Sequence, residues 1–269
     1  MIDESASGVT TPCGAAAPSV LWKAFDVLNA FSHRHRVLTL AQVVRISGLS
    51  KSTAHRVLSM LVDLGAVEQT REGYRIGLRM FSLGALPPEA ALREAALVHL
   101  EELHRFTGQT LHFAILRDAD VVYLEKLPSR RSVSTPATVG DRLPANCTAV
   151  GKALLAFSDE KSTAYALDGP LRRRTAHSLT TPDEIRRQLA SVKAAGHATD
   201  REEAAPGLAC VAVPVLVGDR AVAALSVAFQ SSAGSGEVLL NPLRQAAAAI
   251  SKAPAMRDFA ASALTATTG

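Results

Sequence analysis

The sequence contains few cysteines and no histidine motif for metal, and both absences argue against whole classes of protein. Its three cysteines, Cys13, Cys147 and Cys210, lie far apart and lack the spacing of metal ligands. This argues against a disulfide framework and a zinc site, and it favours a reducing compartment. The eight histidines form no HExxH motif and no paired metal spacing. We therefore expect a cytoplasmic protein without a metal or cofactor.

The sequence also predicts neither a membrane span nor a secretion signal. Its longest apolar run, Leu208 to Val217, is too short to cross a bilayer as a helix. Residues 1–18 begin with acids and have no apolar core, which predicts a flexible tail rather than a signal peptide. With 269 residues and 48% hydrophobic content, the chain is long enough for two folded domains. We predict a soluble two-domain protein.

Positive charge is concentrated in one short segment. Between Val20 and Gly77 the chain has eight lysines and arginines against four acids, whereas the two signs balance elsewhere. A small basic unit joined to a neutral remainder is typical of a phosphate-binding module attached to a domain with another role. The alternative is a basic surface without a pattern.

Apolar periodicity in the basic segment predicts a helix followed by a closely joined helix pair. The first helix begins at Ser19 and ends near Ser32, because apolar residues recur there every three or four positions. The second covers residues 40–47. It follows a capping box of Thr39 and Gln42, and Gly48 is placed to end it.

The third predicted helix, residues 51–64, has the composition of a DNA-recognition helix. Ser50 is placed to cap it by accepting from the backbone N–H of Thr53. Its polar face offers hydroxyl, imidazole and guanidinium groups, which bond phosphates and base edges, and it has almost no acid. Lys51 and Ser52 lie in the first turn, where the helix dipole attracts phosphate. Its predicted apolar face comprises Ala54, Val57, Leu58, Leu61 and Leu64.

The stretch after this helix predicts a wing. VEQTREGYRIG alternates and turns at Glu72 and Gly73, which indicates a hairpin beside the DNA groove. We therefore predict a winged helix-turn-helix domain over residues 19–77 and a linker helix over residues 78–88. The residues predicted to contact DNA are Arg45, Lys51, Ser52, Thr53, His55, Arg56, Ser59, Arg71, Tyr74 and Arg75.

Residues 20 to 84 resemble the DNA-binding domain of IclR-type transcriptional regulators. The resemblance rests on LTLAQVVRISGLSKSTAHRVLSMLVDLGAVEQ and on GYRIGLRMFSLG after it. Three later segments are similar, in order, to signatures of that family's effector domain: LPANCTAVGKALLA, DREEAAPGLACVAVPV and VAALSVAF. The resemblance implies a GAF-like effector domain over residues 89–269, with an antiparallel sheet and flanking helices, and a dimer or dimer of dimers.

Patterns in residues 89–269 independently predict an α+β unit. Alternation and turn residues indicate strands, and caps and apolar periodicity indicate helices. The predicted elements are a helix over Glu89 to Phe106, a hairpin near Thr110 to Leu127, a helix from a capping box at Thr181 and Glu184 to Gly196, and strands Ala209 to Val217 and Ala221 to Phe229 joined by a tight turn at Gly218 and Asp219.

The start of the helix in CTAVGKALLAF is the predicted ligand site. An irregular loop precedes it, so we expect the backbone N–H groups of residues 148–150 to point uncapped into a cavity that suits a carboxylate. The chain departs from the family at Asn146, where His is common, and at Ala228, where some members have a hydroxyl. The missing hydroxyl removes one possible bond to a carboxylate and predicts a less polar effector, such as an aromatic or branched acid. The family resemblance implies effector contacts at Ala149, Val150, Asp200, Cys210, Ser226 and Ala228.

Other interpretations stay open at several residues. Cys210 fits a small core residue better than a reactive thiol, and Ser226 either contacts a ligand or bonds a backbone carbonyl. Residues 172–174, three arginines, form either a solvated loop or a second nucleic-acid patch. One rival class is an enzyme with Cys147 as a nucleophile of lowered pKa and His99, His104 or His112 as base. Another is an architectural DNA-binding protein whose second domain only oligomerises.

The combined patterns predict a ligand-responsive transcription regulator rather than an enzyme. Two chains would pair through their first helices and place two recognition helices in successive major grooves of a pseudo-palindromic operator. An effector would change DNA affinity by favouring one spacing of those helices, and the helix from Leu78 to Leu86 is the predicted transmitter. The sign of control is open, because repressors and activators use the same helices.

Overall fold

The chain divides between Pro87 and Pro88 into two units that each have a core of their own. The structure is a computed structural model that describes residues 19–33, 35–129, 133–234 and 236–266. The predicted tail over residues 1–18, including Cys13, lies outside these ranges. Within them, no helix has both the length and the apolar character needed to cross a membrane.

The first unit is a winged helix-turn-helix, as predicted. Its elements are α1 (Val20–Asn29), β1 (Val37–Leu38), α2 (Leu40–Ser47), α3 (Lys51–Asp63), β2 (Val67–Gln69), β3 (Tyr74–Ile76) and α4 (Leu78–Gly84). The strands form an antiparallel sheet in the order β1-β3-β2. Strand β1 was absent from the prediction, because two residues are too few for a period-two pattern.

Local hydrogen bonds set the ends of the helix pair. Thr39 Oγ1 accepts from the backbone N–H of Gln42 at 3.3 Å, and the Gln42 side chain accepts from the backbone N–H of Thr39 at 2.8 Å, which confirms the capping box. Gly48 ends α2 at a φ of 70°, which glycine adopts without a steric penalty. Ser50 Oγ then caps α3 by accepting from the backbone N–H of Thr53 at 3.3 Å. Helix α1 ends at Asn29, before the predicted Ser32.

Helix α3 buries its apolar face in the first core. Four of the five predicted residues, Ala54, Val57, Leu58 and Leu61, are buried. The prediction for Leu64 is wrong, since that residue is 57% exposed. The helix ends at Asp63 and the chain turns at Gly65, with a φ of 70°, so Leu64 lies at the rim of the core.

The second unit is built on an antiparallel sheet with helices around it. Its elements are α5 (Pro88–Thr107), β4 (Thr110–Arg117), β5 (Asp120–Leu127), β6 (Arg142–Pro144), α6 (Ala149–Ala156), α7 (Glu160–Asp168), α8 (Pro182–Ala195), β7 (Ala198–Arg201), β8 (Leu208–Val217), β9 (Arg220–Gln230), α9 (Leu240–Ile250) and α10 (Pro254–Ala266). The strand order is β6-β5-β4-β9-β8-β7. Both predicted hairpins are present, as β4–β5 and β8–β9. The short edge strands β6 and β7 were not predicted.

Helices cover both faces of this sheet. One face packs on α5, α9 and α10, with Phe113 of β4 in that core. The next residue, Ala114, belongs to the opposite core, where α6, α7 and α8 pack. This arrangement confirms the predicted α+β effector fold.

Helix α8 has the predicted bounds but not the predicted cap. It begins at Pro182, and Gly196 ends it at a φ of 69°. The prediction of a capping box at its start is wrong, because the Thr181 side chain accepts no hydrogen bond from a backbone N–H of the helix. The Thr181 hydroxyl donates to the Glu184 carboxylate instead.

Candidate functional site

The polar face of α3 is exposed over a buried apolar face. Lys51, Ser52, His55, Arg56 and Ser59 all lie in exposed positions. Because α3 packs its other side into the first core, these side chains form one continuous donor-rich surface. This surface has the chemistry needed for phosphate and base contacts.

Thr53 belongs to the helix cap more than to this surface. It is half-buried, and its hydroxyl oxygen accepts a hydrogen bond from Ser50 Oγ at 2.9 Å. Arg45 lies in the last turn of α2 and is exposed. Sequence periodicity alone could not distinguish Thr53 from its exposed neighbours, because the hydrogen bond from Ser50 Oγ to the Thr53 hydroxyl depends on the side-chain rotamer.

The wing offers fewer free groups than the sequence predicts. Arg71 is exposed in the turn between β2 and β3. Arg75 pairs with Glu68 across the two strands at 2.7 Å, and the hydrogen bond from Arg75 lowers the pKa of Glu68. Tyr74 is half-buried and packs against the first core. Arg71 is therefore the wing residue best placed to meet a phosphate.

A small cavity lies in the second unit beside the start of α6. Its volume is about 20 Å³, room for about one water molecule. Five of the six predicted effector residues line it, namely Ala149, Val150, Asp200, Cys210 and Ser226. Ala228 does not line it. That residue is fully buried in β9, where it pairs with Thr110 and Cys210 across the sheet.

Most of the remaining wall comes from residues that the sequence did not single out for this site. Strands β4 and β5 supply His112 and Tyr123, and the segment between β5 and β6 supplies residues 135–137. No local motif marks them, because strand pairing and chain return bring them to the cavity. The other lining residues are Leu143, Thr148, Ala204 and Leu208.

Helix α6 starts with a side-chain cap. Thr148 Oγ1 accepts from the backbone N–H of Gly151 at 3.1 Å, so the predicted uncapped start is wrong. A Cβ on Gly151 would lie 2.3 Å from the backbone oxygen of Ala145, so glycine permits the close approach of the helix and the preceding turn. Every residue of α6 is buried. The N–H groups of Ala149 and Val150 belong to the first turn at the cavity wall, ahead of the capped position.

Buried charged groups surround the cavity. Asp200 Oδ1 accepts from the backbone N–H groups of Glu203 at 2.7 Å and Ala204 at 3.4 Å. Burial raises the pKa of Asp200 to about 7, against the lowering effect of Lys152. Lys152, fully buried in α6, bonds Glu203 at 2.5 Å. No local sequence pattern marks this pair, because its members lie on separate segments.

A histidine and a tyrosine pack together in the wall. The rings of His112 and Tyr123 meet edge to face, with centroids 5.3 Å apart. His112 Nε2 lies 3.1 Å from the Thr135 hydroxyl oxygen. Burial lowers the pKa of His112 to about 3, so its ring is neutral near pH 7. Lys126 Nζ donates to the Ala137 carbonyl at 2.6 Å, which ties the loop over the cavity to β5.

Cys147 and Cys210 have the wrong environment for nucleophilic catalysis. Burial raises the pKa of the Cys147 thiol to about 12, so the lowered pKa expected for a nucleophile is wrong. Its thiol donates to the Pro144 carbonyl at 3.7 Å. Burial also raises the thiol pKa of Cys210, in keeping with a core residue. Among the described residues, no group of three His, Cys, Asp or Glu side chains could hold a metal ion.

The three arginines of residues 172–174 are exposed, as predicted for a solvated loop, but they are held in place. Asn146 donates to the carbonyls of Arg172 at 3.0 Å and Leu179 at 2.8 Å. Arg172 pairs with Asp120, and Arg174 Nε donates to the Ala204 carbonyl at 3.0 Å. Asn146 therefore positions the loop that packs behind the cavity wall.

Both units match known families. Residues 20–71 match the IclR helix-turn-helix domain, and residues 88–252 match the family described as bacterial transcriptional regulator IclR C-terminal. The chain is similar to the HTH-type transcriptional regulator XynR of Escherichia coli, with 34% identity over 86% of this chain and 95% of that protein. It is also 31% identical to the DNA-binding transcriptional repressor YiaJ of Escherichia coli, over 93% of this chain and 91% of that protein.

Solved structures agree with this assignment. An IclR homologue from Microbacterium hydrocarbonoxydans, solved with 4-hydroxybenzoate, is 30% identical and matches with a TM-score of 0.78 over 89% of this chain and all of that one. The IclR protein of Thermotoga maritima is 26% identical, with a TM-score of 0.73 over 86% of this chain and 97% of that one. The chain belongs to the IclR family of transcriptional regulators, with a DNA-binding domain followed by an effector domain.

Proposed function

We propose that this regulator binds a pseudo-palindromic operator through α3 and that a carboxylic acid in the cavity changes its operator affinity. The observation that carries the proposal is the exposed donor face of α3, with Lys51, His55 and Arg56 over a buried apolar side. In a helix-turn-helix, such a face lies in the major groove, and half-sites are read by paired chains.

Helix α1 supports pairing of two chains. Its outer side exposes Leu21, Trp22 and Phe25, which are 70%, 47% and 60% exposed. Large apolar side chains grouped on one helix face favour contact with another protein surface. We infer a homodimer through α1, or a dimer of such dimers, and the pairing would set the spacing of the two α3 helices.

The chemistry of the cavity supports an aromatic or branched acid. Most of the wall is apolar. The solved relative with 4-hydroxybenzoate has an aromatic acid as its ligand. A cavity of about 20 Å³ is too small for such a molecule, so the wall would move to admit it. Binding would thereby select one conformation of the effector domain.

A gel shift with acids tests regulator and effector together. The DNA is the region upstream of the protein's own gene, together with fragments selected from a random library, at fixed salt and with excess nonspecific competitor. The acids are 4-hydroxybenzoate, benzoate, isovalerate, succinate and pyruvate. We expect a specific shift that an aromatic or branched acid alters. If no fragment shifts specifically, the DNA-binding proposal is wrong; if only succinate or pyruvate acts, the effector class is wrong.

A further inference from the structure

The cavity wall contains one carboxylate, and no lysine or arginine among the described residues lines it. Three cations near the wall are held by other groups, and one of them, Lys126, donates to the Ala137 carbonyl at 2.6 Å. Lys152 lies behind the wall and bonds Glu203 at 2.5 Å. The Arg174 guanidinium donates to the Ala204 carbonyl. An acid that enters the cavity therefore meets Asp200 without a free cation beside it.

Four of the titratable groups around Asp200 are neutral near pH 7. Tyr123 of β5, Cys210 of β8 and Cys147 of the turn before α6 all have their pKa raised by burial. His112 of β4 is neutral because burial lowers its pKa. The negative charge of Glu203 is balanced by the positive charge of Lys152. None of these groups supplies positive charge to balance a second anion.

Asp200 itself is held in position. It is 2% exposed, and its Oδ1 already accepts two backbone N–H groups. Asp200 lines the cavity wall, and within the described part of the chain both hydrogen bonds to its side chain are on Oδ1. Its second oxygen, Oδ2, is therefore the atom left to hold a proton and donate it to a ligand oxygen.

We propose, on the basis of the acid-binding function above, that a carboxylic acid enters this cavity together with one proton, which Asp200 holds between the two carboxyl groups. Two carboxylates in one buried site cannot both ionise at low cost, so they share a proton. The O–H of protonated Asp200 donates to the ligand carboxylate, and the N–H groups at the start of α6 are placed to receive its charge. Asp200 is thus a specificity residue that favours acids at low pH.

The pH dependence follows from the state of Asp200 before binding. Burial raises its pKa to about 7, so at pH 6 the free protein already holds the proton. At pH 8 the free carboxyl is ionised, and binding must take the proton from solvent. Since benzoate and similar ligands stay ionised over this range, the dissociation constant should increase about tenfold between pH 6 and pH 8.

Isothermal titration calorimetry tests the proposal on the full-length protein. We would titrate 4-hydroxybenzoate, benzoate and isovalerate at pH 6 and pH 8, using two buffers of different ionisation enthalpy at pH 8. We expect about tenfold weaker binding at pH 8 and uptake of about one proton. Benzamide, a neutral match for benzoate, should show neither effect. Binding with a pH-independent dissociation constant and no proton uptake would overturn the proposal.

Three substitutions locate the proton. Asp200→Asn keeps the acceptor oxygen for the two backbone N–H groups and cannot titrate, so it should bind the acid equally at both pH values without proton uptake. Glu202→Gln, at a neighbouring carboxylate outside the cavity wall, should retain the uptake. Uptake that persists in Asp200→Asn and disappears in Glu203→Gln would overturn the assignment to Asp200. If no acid binds the folded wild-type protein at either pH, the acid-binding function fails, and this inference fails with it.

Discussion

Helices α3 and α6 begin with the same cap and lie in opposite surroundings. In α3 the Ser50 hydroxyl accepts from the N–H of Thr53, and in α6 the Thr148 hydroxyl accepts from the N–H of Gly151, the third residue of the helix in each case. Helix α3 keeps a polar face in solvent, whereas every residue of α6 is buried. The cap is a local property, but the role of each helix depends on what packs around it.

Lysine shows the same contrast. Lys51 is exposed on α3, where its charge is available to DNA. Lys152 is fully buried in α6, where its charge is matched by Glu203. An exposed charge is available for binding and has little effect on folding stability. A buried charge is needed for stability, because its removal leaves the partner's charge buried and uncompensated.

The largest effect is expected from breaking the buried pair. Lys152→Met leaves Glu203 buried without its cation and should lower the free energy of unfolding of the second unit by about 3–5 kcal/mol. Urea unfolding followed by circular dichroism measures this loss. The matched variant, Lys51→Met on α3, should change stability by less than about 0.5 kcal/mol. A loss below about 1 kcal/mol in Lys152→Met would show that the pair contributes little.

On α3, we expect the larger effect from Arg56. Arg56→Ala should weaken operator binding by about 1–3 kcal/mol if the guanidinium contacts a guanine, with a smaller loss on random DNA. Lys51→Ala should weaken binding to both DNAs and reduce the slope of affinity against salt. Fluorescence anisotropy at several salt concentrations separates the two. Equal losses on operator and random DNA for both variants would contradict base contact by Arg56.

Stability should depend on pH through Asp200. Its folded-state pKa of about 7 lies above the unfolded value of about 3.9, so the stabilisation by the protonated carboxyl is fully present below about 3.9, decreases as pH rises between these two values and is lost above about 7. Asp200→Asn removes that loss. The free energy of unfolding of this variant, relative to that of the wild type, should be about 1–3 kcal/mol higher at pH 8 than at pH 5. Urea unfolding at both pH values measures this, and a constant difference would contradict the raised pKa.

The smallest effect is expected from the shared cap. Ser50→Ala should lower the free energy of unfolding of the first unit by about 1 kcal/mol. The single tryptophan of the chain, Trp22, lies in α1, so its fluorescence reports on that unit. Thr148→Ala should cost a similar amount in the second unit and leave the Trp22 transition unchanged. A shift of the Trp22 transition in Thr148→Ala would contradict independent unfolding of the two units.

Short-range features were predictable from the sequence, and long-range ones were not. The bounds of α2, its capping box and both hairpins follow from spacings of a few residues. The pairs Lys152–Glu203 and Asn146–Leu179 join segments that are distant in sequence, and no periodicity marks them. The prediction of a low pKa for Cys147 was wrong for a related reason. Its place at a helix start was predictable, but the burial that raises its pKa comes from the rest of the domain.

In the cavity, the family resemblance indicated residues that periodicity did not. It pointed to Asp200 and Ser226, which line the wall, and also to Ala228, which does not. His112 and Tyr123 were missed as wall residues, because strand pairing alone brings them there. Contact of any of these residues with an effector stays a prediction.

Reciprocal binding measurements test most directly whether the α3 surface and the cavity beside α6 are coupled. The dissociation constant of the operator is measured with and without a saturating acid, and that of the acid with and without saturating operator. If both sites bias one conformational equilibrium, the two ratios must be equal, and we expect a change of about 5- to 150-fold. Two tight binding events with both ratios equal to one would contradict the account.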